Sequence, residues 1–316
     1  MRGIGVAMAM QGSSISNVDV GSVSIKVNDD GFYSLMIGAS DMGTGCDTIL
    51  AQMAADCLEC NMDEIIVHGT DTDISPYDSG SYASSNTYLT GMAVVQACEK
   101  LRKNMIEKAA QYLECDADSL EFDGTKVYQP DGEKSITRQE IGNRIMCNNE
   151  NDLTASVSHS SPVSPPPFMV GMAEVEVDQE TGQAELIDYV AVVDCGTVVN
   201  PNLARVQTEG GIAQGIGMAL YEDITYSEKG QLYQNSLMQY KIPTRLDVGK
   251  IRVEFESSYE PTGPFGAKSI GEIVINTPSP AIAQAIYNAS HVRVRELPIT
   301  AEKIFFGMQQ QKETDR

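Results

Sequence analysis

Histidine, basic residues and patterned cysteines are all scarce in this sequence. The three histidines, His68, His159 and His291, lie far apart, so a multi-histidine metal site is not expected. Lysine and arginine number 22 against 44 aspartates and glutamates, a formal net charge of −22. An acidic surface of that size argues against nucleic acid or an anionic membrane as partner. It suits solubility and docking to other protein subunits. Seven cysteines, at 46, 57, 60, 98, 115, 147 and 195, form an odd set without regular spacing. Disulfide scaffolds use even, patterned sets, so a reducing cytoplasm is the expected location. Cys57-Leu58-Glu59-Cys60 is a CxxC, but it lies in a helical pattern without a second pair. No four-cysteine iron–sulfur run is present. No apolar run approaches the roughly 18 residues needed to cross a bilayer. The start, Met1 to Met10, has one arginine and a short apolar run broken by two glycines, too weak for a signal peptide. There is no P-loop and no GxGxxG fingerprint after a strand, which removes the usual nucleotide-binding folds.

What remains is an ordinary globular composition: 316 residues, 42% hydrophobic and 21% charged, enough for a substantial core. Val23–Val27 and Phe32–Ile37 flank Asp29-Asp30-Gly31 and read as a hairpin. Ile49, Leu50, Met53, Ala54 and Cys57 fall on one face of a helix over 47–60. A strand at Ile65–Val67, a long polar loop over 71–85 and a helix over 86–113 follow. A hairpin turns at Asp123-Gly124, and a short helix covers Arg138–Met146. Cys147 to Pro167, rich in Ser and Pro, reads as a linker. Beyond it come strands at Met172–Val177 and Ala184–Val193, and a helix with Pro201 near its first turn. A hairpin is expected over Tyr226–Tyr233, a strand at Ile251–Phe255, and helices at Ala281–Asn288 and Ala301–Gln309. This order predicts an α+β fold in two lobes, 1–150 and 151–316.

Gly263-Pro264-Phe265-Gly266-Ala267-Lys268-Ser269-Ile270-Gly271-Glu272-Ile273-Val274-Ile275-Asn276 sets one carboxylate, Glu272, among small and aliphatic residues. Apolar surroundings disfavour the ionised form and raise a carboxyl's pKa, which makes a general base usable near neutral pH. The structural alternative is that Glu272 caps a turn or pairs with Lys268. Three further stretches, 40–45, 77–85 and 209–217, are rich in Gly or Ser. The first two stand at helix starts, where free N–H groups suit phosphate, and glycines let backbone approach a flat ligand. Each also reads as a tight turn or close helix packing. Gln214, inside the glycine-lined helix, offers an amide to a pterin-like edge or to a buried carbonyl.

Taken in order, four stretches resemble one family. They are Asp41-Met42-Gly43-Thr44-Gly45; Asp71 to Asp78 with Ala83-Ser84-Ser85 and Thr90-Gly91-Met92; Asp194-Cys195-Gly196 through Asn200-Pro201 and Glu209-Gly210-Gly211 to Gly217; and Gly266-Ala267-Lys268-Ser269-Ile270-Gly271-Glu272. The chain resembles the C-terminal half of the molybdenum-binding subunit of the xanthine dehydrogenase and aldehyde oxidoreductase family. In form it is similar to the medium molybdopterin subunit of nicotinate dehydrogenases, a split subunit paired with a large one carrying the first half. It departs from the family pattern at Thr44, where a glutamine is usual, and at Ile273-Val274, where Pro-Pro often follows the glutamate.

The resemblance implies two molybdopterin-binding lobes, the second with a catalytic Glu loop. It implies a molybdopterin cytosine dinucleotide whose dithiolene sulfurs hold molybdenum bearing a sulfido or selenido ligand. Glu272 is implied as general base. Gly43, Thr44, Gly45, Tyr82, Ala83, Ser84, Ser85 and Gln214 are implied at the cofactor, with no protein side chain on the metal. Val6, Ala7 and Ala83 are implied on the substrate side. The implied reaction hydroxylates an N-heteroaromatic ring with water as oxygen source, nicotinate to 6-hydroxynicotinate first, with a purine, xanthine or aldehyde as alternatives. Electrons would leave through 2Fe-2S clusters and FAD on partner subunits. A non-catalytic assembly subunit is the competing reading.

Overall fold

A computed structural model describes residues 1–314. In chain order its strands are β1 (Arg2–Met10), β2 (Gly21–Val27), β3 (Tyr33–Ile37), β4 (Ile65–His68), β5 (Glu121–Phe122), β6 (Lys126–Tyr128), β7 (Ser135–Thr137), β8 (Thr154–His159), β9 (Phe168–Val177), β10 (Ala184–Asp194) and β11 (Lys250–Glu256). Its helices are α1 (Cys46–Leu58), α2 (Gly91–Leu113), α3 (Arg138–Cys147), α4 (Pro201–Leu220), α5 (Ile273–Asn276), α6 (Pro278–Ser290) and α7 (Ala301–Thr314). The fold is α+β, with helices set against separate mixed sheets.

Two compact units form, and their membership differs from a division into 1–150 and 151–316. One gathers Met1–Gln11, Pro166–Ser258 and residues 270–314. The other holds Gly12–Pro165 and Tyr259–Ser269. The cause is long-range pairing. β1 runs antiparallel to β9 from Arg2 opposite Glu176 to Met10 opposite Phe168, which ties the first residues to the second lobe.

In the first unit the sheet order is β1-β9-β10-β11. Ala173, Val175, Tyr189 and Ala191 from the sheet are fully buried with Ile212 and Ile216 of α4 and Ala281, Ile282 and Ala285 of α6. Gly3 and Gly5 explain how α6 lies so close to β1. A Cβ on Gly3 would sit 2.2 Å from the Ala285 carbonyl oxygen, and one on Gly5 2.1 Å from that of Ala281. α4 starts as its sequence suggests: Pro201 occupies the first turn and the Asn200 side chain accepts from the Leu203 N–H at 3.1 Å. The expected hairpin over Tyr226–Tyr233 reduces to one bridge, Tyr226 to Leu232.

In the second unit the order β4-β3-β2-β8 makes the main sheet, and β5-β6-β7 a small one. Val23, Ile25, Leu35 and Ile37 are fully buried, as are Leu50 of α1 and Leu101 of α2. β8 lies inside the stretch read as a linker. Its residues Thr154–His159 pair with Lys26–Gly21 of β2, so tertiary pairing overrides a polar composition. Thr137 and Glu140 form a reciprocal capping box that starts α3. Among the described residues no helix is long and apolar enough to cross a membrane.

Candidate active site

Glu272 stands at the N-cap position of α5, but its side chain makes no capping bond, so the turn-capping alternative does not hold. The expectation of an apolar, dry surrounding is also corrected: Glu272 is exposed. Ile273 and Val274 are buried in the core, whereas Glu272 beside them is exposed.

What holds Glu272 is a pair of amides that sequence reading missed. Gln11 Nε2 donates to Glu272 Oε2 at 2.7 Å, and Asn276 Nδ2 donates to Gln11 Oε1 at 2.9 Å. The Asn276 contact fixes which end of the Gln11 amide faces the carboxylate. The backbone is held as well, because Gln207 Nε2 donates to the Gly271 carbonyl at 3.0 Å. Gln11 follows β1, a strand hidden in sequence by its glycines, so no local signal marks it.

The glycines of α4 divide by role. A Cβ on Gly211 would meet Val274 Cγ2 at 2.1 Å, and one on Gly215 would meet Pro278 Cγ at 2.7 Å. These two serve helix packing against α5 and α6 rather than ligand approach. Gly210 has nothing within 4 Å of where its Cβ would stand. Gln214 shares that outer face and is exposed. Val6 and Ala7 do not share a face. Strand alternation turns Val6 outward, whereas Ala7 packs toward the core beside α6, so the two cannot line one wall together.

In the second unit, the loop before α1 is organised by its own aspartate. Asp41 Oδ1 accepts from the N–H groups of Gly43 at 2.9 Å and Gly45 at 3.1 Å, and its Oδ2 accepts from Asp47 N–H at 3.4 Å. Burial pushes the Asp41 carboxyl up, but these backbone donors outweigh it and hold the pKa below the ordinary value. The amides expected to receive a phosphate here are therefore already engaged. Thr44 Oγ1 is shut off from solvent and has no partner of full hydrogen-bond geometry. The Cys46 thiol beside it is a weak donor that burial pushes up to about 12. Gly43, at φ +103°, leaves open space above the loop. Asp41, Cys46 and Asp47 also bring possible metal-ligating atoms within 4.8 Å of one another, a grouping the sequence did not suggest. Both Asp41 oxygens already accept backbone amides in this grouping.

The loop at Tyr82–Ser85 carries backbone strain. Ala83 and Ser84 both adopt left-handed φ, +52° and +56°, which non-glycine residues rarely do. The conformation is fixed from several sides. Ser14 N–H donates to the Ala83 carbonyl at 2.8 Å, Ser85 Oγ to the Gly80 carbonyl at 2.8 Å, and Tyr82 Oη to Asp19 Oδ1 at 2.6 Å. Asn86–Thr90 is a π-type turn leading into α2, where plain helix was expected. Such turns recur at functional sites. Ser14 Oγ, Asn86 Oδ1 and Ser269 Oγ are buried without hydrogen-bond partners. Ser14 contacts the strained loop, Asn86 adjoins it, and Ser269 N–H bonds Ser13 Oγ at 3.1 Å.

Within the second unit, the buried orphan polar atoms and the strained small-residue loop are features of a site for a large polar ligand. The molybdopterin cofactor-binding domain family matches residues 1–249, most of the chain. This chain belongs to that family. Among curated relatives of the molybdopterin-binding chain, "Probable hypoxanthine oxidase XdhD" of Escherichia coli is 36% identical over 313 residues, 97% of this chain and 32% of that protein. The "6-hydroxypseudooxynicotine dehydrogenase complex subunit gamma" of Paenarthrobacter nicotinovorans is 31% identical over 324 residues, 99% of this chain and 40% of that one. The crystal structure of quinoline 2-oxidoreductase from Pseudomonas putida 86 superposes with a TM-score of 0.88 at 26% identity, covering 98% of this chain and 42% of that one. The molybdopterin-binding chain thus spans about a third to two fifths of the length of these relatives.

Proposed function

We propose that this chain is one part of the molybdopterin-binding region of a molybdenum hydroxylase acting on an N-heteroaromatic ring, with water as the oxygen source. The observation that carries the reading is the Asn276–Gln11–Glu272 chain of hydrogen bonds, which aims a carboxylate from a fixed backbone. Nicotinate is the first substrate class, in keeping with the similarity to a relative named as a 6-hydroxypseudooxynicotine dehydrogenase subunit at 31% identity. A purine is the second, on the similarity to a relative named as a hypoxanthine oxidase at 36% identity.

The residues present fit a pterin cofactor. Thr44 Oγ1, Ser14 Oγ, Asn86 Oδ1 and Ser269 Oγ are buried acceptors and donors in want of partners, and a pterin ring and its phosphates carry many such groups. Gly43, in the same unit, leaves space where a flat ring could lie. In this reading Gly43, Thr44, Gly45, Tyr82, Ala83, Ser84, Ser85 and Gln214 hold the cofactor, and Val6 and Ala83 face substrate. Because Asp41 occupies the α1 amides, a cytosine dinucleotide's phosphates would use other donors. When bound, the cofactor supplies the two-electron oxidation, and the electrons pass to 2Fe-2S and FAD groups on partner subunits. The chain's own contribution is positional and acid–base. Glu272 accepts a proton as water-derived oxygen reaches the ring carbon beside a nitrogen. Gln11 keeps that carboxylate pointed by donating to Oε2. A cytoplasmic complex with large molybdopterin, iron–sulfur and FAD subunits completes the reading.

The test uses the complex purified from its host. Glu272→Gln should retain molybdenum and lower turnover of nicotinate or hypoxanthine by about 10²–10⁴, the usual worth of a general base. Near-normal turnover ends the base assignment. A well-folded complex without molybdenum supports the non-catalytic reading instead.

A further inference from the structure

The sheet β1-β9-β10-β11 changes character across its outer face. On β11 that face is charged, with Lys250, Arg252, Glu254 and Glu256 all exposed. On β1 and β9 it is apolar. Register places Val6 opposite Met172, Met8 opposite Val170 and Met10 opposite Phe168. All six are exposed, Met8 at 77% and Met10 at 66%. At one end, Arg2 bridges to Glu174 at 3.2 Å and to Glu176 at 3.1 Å, which gives the patch a polar rim with one negative charge in excess. β1 is also the end strand of its sheet, where Asn288 Nδ2 donates to the Ile4 carbonyl at 2.7 Å. A continuous apolar face on an end strand marks a surface that a partner covers.

Length and charge indicate which partner. The relatives are two to three times as long as the part that this chain matches, since it covers 32% and 40% of two of them. Two copies of a chain of net charge −22 would repel on facing each other, which disfavours self-pairing through this face. We infer that the β1–β9 face is the seat of the further stretch of the molybdopterin-binding protein, the portion that the relatives possess outside the region matched here. This rests on the reading of the chain as one part of a larger molybdopterin-binding assembly. Val6 belongs to the face, so the seated stretch would bound the substrate side as well.

Photo-crosslinking tests it in the complex purified from its host. Benzoylphenylalanine replaces Met8, and in a control it replaces Arg252 on the charged part of the same face. Irradiation and peptide mass spectrometry then identify the adducts. The expected result is several-fold more adduct from position 8, joined to peptides that align with the relatives outside the region matched here. Adducts chiefly to a second copy of this chain or to an unrelated protein, equal yields from both positions, or no adduct would each overturn the inference. Molybdenum content of the same sample separates the two readings. A metal-free complex with the expected adducts removes the hydroxylase assignment and leaves the seat. A loaded complex without them removes the seat alone.

Discussion

Replacing Gly5 by alanine tests how the β1–α6 contact is built. The new Cβ would stand 2.1 Å from the Ala281 carbonyl oxygen and 2.4 Å from the Ala285 nitrogen. Both are helix backbone and cannot rotate away. To restore an ordinary contact of 3.4 Å, α6 must withdraw by about 1.3 Å or β1 must bend. Overpacking of this kind costs about 1–3 kcal/mol. Alanine regains about 0.5–1 kcal/mol of the backbone entropy that glycine loses in a strand. The net loss is about 0–2.5 kcal/mol, with a midpoint of about 1.3 kcal/mol, which for a unit of this size lowers the melting temperature by roughly 3–5 °C. Gly210→Ala is the matched control. It sits inside α4 with nothing within 4 Å of the added carbon, so it should stabilise by about 0.4–1 kcal/mol. Calorimetry and urea titration of both variants give the two signs directly. A stabilising Gly5→Ala would refute direct packing of α6 on β1. A destabilising Gly210→Ala would refute the open space on α4. If that space receives the cofactor, Gly210→Ala should also reduce molybdenum loading while the protein gains stability.

Other outcomes follow from single groups. Asp41→Ala should cost about 1 kcal/mol near neutral pH, as for a lost helix cap, in thermal melts. Asp41's folded pKa is lowered, so its contribution is full above the ordinary carboxylate range and lost as pH falls through the folded value; the variant and wild type should converge in acid. Gln11→Leu should lower turnover several-fold while molybdenum content stays unchanged, because Glu272 loses the 2.7 Å donor that aims its carboxylate. Burial holds His159 below its ordinary 6.5, so the unfolded chain binds the proton first. Stability should therefore fall as pH drops from 6.5 toward that lower value, and His159→Gln should flatten this part of the curve.

The sequence by itself determined most elements and the family. Alternation gave β2 and β3, one-sided apolar spacing gave α1, and Pro201 after Asn200 marked the start of α4, because these signals are local. It also singled out Glu272 and the strained 82–85 loop through residue types alone. Tertiary structure decided the rest. β1 was illegible because Gly3 and Gly5 weaken a strand in isolation and matter only where α6 lies on them. Composition could not show that Gly211 and Gly215 fit helices together while Gly210 faces open space, since all three look alike in one dimension. Nor could it show that Asp41 fills the α1 amides, or that Gln11, 261 residues from Glu272, orients its carboxylate. Hydrophobic periodicity is written along the chain, but a hydrogen bond between distant residues exists only once the chain has closed on itself.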